Sequence, residues 1–152
     1  MQYFDELLLT YSSIDSELAI QEEKARKDRD TEIEEAIKRK RDLNDKAYFL
    51  LLFAQFEFYV NERCSALIKT ESTATSWKQR RPWYILDHRD VIRIDFMKRI
   101  ALLTEKGCRA FNKINEYYKS RNSLAHGDLP STAAPLPSIA EDLKIFSEQF
   151  QI

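Results

Sequence analysis

Glycine is nearly missing from this chain: 152 residues contain two, alongside four prolines and two cysteines. So little turn chemistry argues against short strands joined by tight hairpins and favours long helices with few connections. The cysteines, Cys64 and Cys108, form no CxxC pair and have only His88 and His126 for company, so a Cys/His zinc site cannot be assembled. A reduced intracellular protein is the simplest reading. Long apolar runs are lacking too. The longest, Ala47 to Ala54, is too short to cross a bilayer, and the amino terminus Met-Gln-Tyr-Phe-Asp-Glu has neither the basic stretch nor the cleavage site of a signal peptide. The expectation is a cytoplasmic protein with no membrane partner. Nor is there an excess of charge of one sign: Lys plus Arg total 24 against 25 for Asp plus Glu, so an anionic partner has to be met by a local patch.

What the chain does have is apolar side chains, 43% of the total with 12% aromatic, over a length that buries a core in one domain. The spacing predicts an all-α bundle of four or five helices carrying a long charged helical extension. Phe4, Leu7, Leu8, Tyr11, Ile14 and Leu18 mark one face of a first helix reaching about Lys27. Residues 22–45 are dense in alternating charge, the pattern of a charged helical hairpin. Asn44 or Asp45 is placed to cap the central helix, with Phe49, Phe53, Phe56, Val60, Cys64 and Leu67 inward. A polar connection through Arg80, Arg81, Pro82 and Trp83 follows. Asp87 is expected to open a third helix with Val91, Ile94, Met97, Ile100 and Ala101 inward, stopped by Gly107. A fourth helix spans about 108–127, and after the Pro130 to Pro137 stretch a last one starts at Ser138.

The residues that carry chemistry lie at the end of the fourth helix. Arg121, Asn122 and His126 are the right types for cutting a phosphodiester. A neutral imidazole takes a proton from a ribose 2′-OH and, once charged, returns one to the leaving oxygen. A guanidinium stays protonated and stabilises the charge that grows on phosphate oxygens. An asparagine orients either partner by hydrogen bonds. This chemistry calls for no metal and no cofactor. On an ideal helix, positions 121 and 126 diverge by about 140°, so a shared site needs a loosened last turn or a second subunit. Taken alone, Arg-x4-His is a weak signal, and a helix-terminal histidine beside glycine equally well settles the helix dipole.

The longer run Tyr117-Tyr118-Lys119-Ser120-Arg121-Asn122-Ser123-Leu124-Ala125-His126-Gly127 resembles the signature of the HEPN superfamily, and Phe53-Ala54-Gln55-Phe56-Glu57-Phe58-Tyr59-Val60 resembles its second helix. The resemblance covers nearly the whole chain and implies one helical domain over residues 1–152. It further implies a homodimer with motif helices meeting at a cleft, and metal-independent endoribonuclease activity of the kind found in toxins and in defence against phage. Under it, Arg121, Asn122 and His126 are catalytic. One departure stands out: some HEPN toxins carry, two places after the histidine, a tyrosine that a partner nucleotidyltransferase modifies, and here that position is Asp128.

Around the motif, Glu57 in its apolar helix is a candidate to pair with Arg121 or orient His126, or else lies on an exposed strip beside Asn61. Tyr117 and Tyr118 suit stacking on bases or core packing. Lys119 and the patch Lys78, Arg80, Arg81 and Trp83 suit phosphates and a base, or a solvated loop with a tryptophan anchor. Two further readings remain open. One is a non-catalytic HEPN module that binds RNA or protein, or dimerises. The other is a helical scaffold whose charged segment docks an antitoxin or a defence-complex protein.

Overall fold

A helix of 42 residues, α2 (Thr31–Ser72), runs through both the charged stretch and the aromatic core segment. The sequence suggests a break near Asn44, but nothing there halts a helix, and the charge density of the first half is carried on its surface. The computed structural model describes residues 3–128 and 134–150. Among them the regular structure is entirely helical: α1 (Phe4–Lys27), α2, the single turn α3 (Trp77–Arg80), α4 (Phe96–Leu103), α5 (Arg109–Ala125) and α6 (Leu136–Glu148), with one 3-10 turn at Val91–Arg93. No helix of the described residues is long and apolar enough to cross a membrane. Two compact units are formed, residues 1–55 with 118–142, and residues 56–117 with 143–152.

In the first unit α1 and the start of α2 make the expected charged hairpin. Arg29 adopts φ 58°, and the Asp30 N–H donates to Ala25 O, closing α1 with a left-handed residue. Asp30 Oδ1 then accepts from the Ile33 N–H at 3.0 Å, which caps α2. The facing side chains are ionic: Arg41 forks onto both Asp15 oxygens at 2.8 and 3.1 Å and reaches Glu22 at 2.8 Å. This turns α1 so that Tyr11 and Ala25 are buried and Asp15 is half-buried, while Ile14, expected inward, is exposed. The Tyr11 hydroxyl donates to Asp45 at 2.9 Å, and its ring lies 5.7 Å from Tyr48.

The second unit is packed on the later half of α2. Phe56, Val60, Cys64 and Ile68 are fully buried, with Ile68 rather than Leu67 as the last inward position, and Phe96, Ile100, Leu103, Ile114 and Tyr117 are buried too. Asp87 does not open a helix. Its carboxylate accepts from the Arg89 N–H at 2.9 Å in a local turn that competes with helix formation. Asp95 caps α4 instead, accepting from Met97 and Lys98, and Ala101 is exposed. α4 ends at Leu103, so Gly107 falls in the connection to α5, at φ 88°. α6 begins at Leu136, two residues before the expected Ser138, with Pro137 in its first turn where no N–H is required. Pro130 lies outside the described residues.

Candidate active site

α5 ends in a complete left-handed cap, and the motif is built into it. Gly127 has φ 91°. Its N–H donates to Leu124 O at 3.1 Å, and the Asp128 N–H donates to Ser123 O at 3.1 Å, the paired bonds of a Schellman motif. Ser123 Oγ donates to Asp128 Oδ2 at 3.1 Å and ties the outgoing chain to the helix end. Leu124 is the buried residue of this turn. Asp128 is thus part of the cap.

His126 is the last residue before the left-handed glycine. Its backbone N–H is shared between Asn122 O at 3.0 Å and Ser123 O at 3.2 Å, so the backbone stays helical up to the histidine. Positions 121 and 126 therefore keep the wide divergence of a regular helix. The imidazole is exposed and makes no hydrogen bond among the described residues. A ring so placed has both nitrogens open to an incoming ribose or phosphate.

Arg121 and Asn122 are half-buried, and they meet: Arg121 Nη1 donates to Asn122 Oδ1 at 3.1 Å. Asn122 therefore orients the guanidinium, and its amide N–H groups meet no acceptor among the described residues. Guanidinium and amide are both hydrogen-bond donors, the chemistry that phosphate oxygens accept.

One turn earlier, Tyr118 is half-buried with its ring stacked on Phe53, centroids 6.2 Å apart at 25°. Tyr117 is buried, which assigns it to the core, and Lys119 is exposed. Glu57 belongs to the second unit, where Arg99 Nη2 donates to its Oε1 at 3.2 Å. Arg99 Nη1 also bonds Asn61 Oδ1, and its guanidinium lies 5.3 Å from the Phe96 ring centroid. Of the basic segment in that unit, Lys78 and Arg81 are exposed, and Arg80 Nη1 donates to the carbonyls of Ala74 and Thr75 at 3.3 and 3.1 Å. Trp83 is half-buried, the position of an anchor, whereas Trp77 is exposed. Sequence reasoning passed over Trp77; the signal available was its place one helical turn before Arg80.

Among the described residues, no group of three or more His, Cys, Asp and Glu side chains is placed to hold a metal ion. Comparison of the chain with protein-family models, curated proteins and solved structures finds no match.

Proposed function

We propose that the chain is an endoribonuclease of HEPN type, working as a homodimer in the cytoplasm as a toxin or anti-phage effector. The observation that carries this reading is the motif end of α5, where Asn122 orients Arg121 and the cap leaves His126 exposed. Exposure of a histidine on the same helix end as an oriented guanidinium suits a substrate rather than a core. Because positions 121 and 126 diverge within one chain, each cleft takes its arginine from one subunit and its histidine from the other.

In the proposed reaction the imidazole of His126 removes the proton from a ribose 2′-OH. The freed oxygen attacks the adjacent phosphorus, the bond to the 5′-oxygen of the next nucleotide breaks, and that oxygen takes a proton back from the imidazolium. The products are a 2′,3′-cyclic phosphate and a 5′-hydroxyl. Arg121 donates to the non-bridging oxygens, whose charge is greatest in the transition state. Asp128 stands where some HEPN toxins have a modifiable tyrosine, so this reading expects a different antidote, or none.

The test is cleavage of labelled single-stranded RNA and tRNA in EDTA by the wild type, by Arg121→Ala, by His126→Ala, and by the two variants unfolded together and refolded as mixed dimers. Wild-type cutting that each variant loses, and that the mixture partly regains, is expected. Loss without recovery in the mixture would place a complete site in each chain. No cutting, with RNA binding retained, would make the chain a non-catalytic HEPN module.

A further inference from the structure

Helix α3 and the segment after it expose aromatic and aliphatic side chains that do no packing work proportionate to their size. Trp77 is 57% exposed and Tyr84 66%. Their rings touch, with centroids 6.0 Å apart in an edge-to-face arrangement. The guanidinium of Arg80 lies 5.6 Å from the Trp77 ring centroid and is held by the Ala74 and Thr75 carbonyls. The indole is therefore fixed in orientation while much of its surface faces water, at the usual cost of leaving apolar area hydrated.

Helix α3 and the residue after it carry charge of one sign, on Lys78, Arg80 and Arg81. The acidic residues of the following segment are taken: Asp87 pairs with Arg89 at 3.3 Å and Asp90 with Arg93 at 2.7 Å. Lys78, Arg80 and Arg81 have no carboxylate partner among the described residues. In a chain whose overall charge is −1, this is a local cationic patch centred on an exposed indole. A rigid ring edged by cations is what a strand of unpaired nucleotides requires: the ring stacks on a base of any identity, and the cations meet the flanking phosphates. A duplex offers the same phosphates but no free base face.

We propose that Trp77, braced by Tyr84 and Arg80, is the stacking platform for one unpaired base of a single-stranded RNA, with Lys78 and Arg81 on the neighbouring phosphates. This rests on the reading of the chain as an RNA-acting protein, and it names the form of RNA that is bound.

The test uses the full chain carrying Trp83→Phe, so that Trp77 is the only indole, and a 12-nucleotide 2′-O-methyl oligoribonucleotide that lacks the attacking hydroxyl and stays uncut. Quenching of the indole emission by the single strand is expected, with no quenching by the matched duplex. Fluorescence anisotropy should show about ten-fold weaker binding by Trp77→Ala than by the otherwise wild-type chain, and little loss for Trp77→Phe. Equal affinity of Trp77→Ala and wild type would overturn the proposal. So would equal binding of duplex and single strand, which is phosphate attraction alone, or a blue shift of the emission on anionic lipid vesicles with no response to the oligonucleotide, which is a membrane surface. The two readings fail separately. Quenching through Trp77 in a chain that cuts no RNA removes the nuclease and keeps the platform; cutting that depends on His126 but is unchanged by Trp77→Ala does the reverse.

Discussion

Arg121 Nη1 donates to Asn122 Oδ1 at 3.1 Å, so the motif's asparagine orients the motif's arginine. In the proposed reaction Asn122 is a positioning residue for the phosphate-binding group. Asn122→Ala should lower kcat by about 10²-fold, the loss usual for one misplaced donor, whereas Arg121→Ala and His126→Ala remove measurable cleavage. Asn122→Asp is the sharper control. It keeps the acceptor oxygen but brings a negative charge to the phosphate, so it should lose more activity than the alanine variant. Single-turnover kinetics on one labelled oligonucleotide decides the order.

Gly127 at φ 91° and Arg29 at φ 58° close two helices in the same way, and only one of them is a glycine. A Cβ added at Gly127 meets nothing within 4 Å among the described residues, so the penalty of Gly127→Ala is backbone strain. That variant should lose about 1 kcal/mol, or about 2–4 °C in Tm. Arg29→Gly relieves the same strain and should change stability by a similar amount in the opposite direction. Calorimetry on the two variants gives shifts of opposite sign if the caps are built as described.

The Arg99 side chain is 6% exposed and its Glu57 partner 24%, which makes the pair the main buried charge interaction described in the second unit. Arg99→Ala removes the guanidinium that bonds both the Glu57 carboxylate and the Asn61 amide, and should cost about 3 kcal/mol by urea unfolding. Glu57→Gln keeps a carbonyl that can accept from Arg99 and should cost less. If Glu57→Gln instead abolishes RNA cleavage while leaving stability unchanged, Glu57 acts on the motif as the sequence reading suggests.

Burial raises the Asp45 carboxyl above its ordinary range, the charge of Asp15 adds to this, and the Tyr11 hydrogen bond opposes it. The folded state therefore holds this proton more tightly than the unfolded chain. Its contribution to stability is complete below the ordinary carboxylate value and is lost as pH rises through the folded value. Asp45→Asn retains an acceptor for Tyr11 and has nothing to titrate. Its stability relative to wild type should improve between pH 3.5 and pH 7, measured by urea unfolding at each. A difference that does not change with pH would show that Asp45 is charged at no cost in the fold.

Much of the architecture was legible before any coordinates. The end of α1 at Lys27, the charged hairpin, the inward run Phe49, Phe53, Phe56, Val60 and Cys64, and the extent of α5 all follow from apolar spacing and from stop signals, because burial of one helix face and the left-handed glycine cap are local requirements. The helix that carries Arg121, Asn122 and His126 was legible in the same way, since its apolar face and its glycine stop are local features. What local pattern did not decide was every choice between two nearby candidates. Asp95 rather than Asp87 caps α4 because Asp87 is satisfied in a turn of its own, and Ile14 faces water because Arg41 draws Asp15 and Glu22 to the inner face of α1.

The sequence by itself therefore determined the helical class, the hairpin and the chemical types at the end of α5. Only the tertiary structure decided that Glu57 accepts from Arg99, that Tyr118 packs on Phe53, and that Trp77 rather than Trp83 is the exposed indole. The reason is physical. Periodicity reports which residues share a face, but the partner of a charge or a ring is chosen by chain segments distant in sequence.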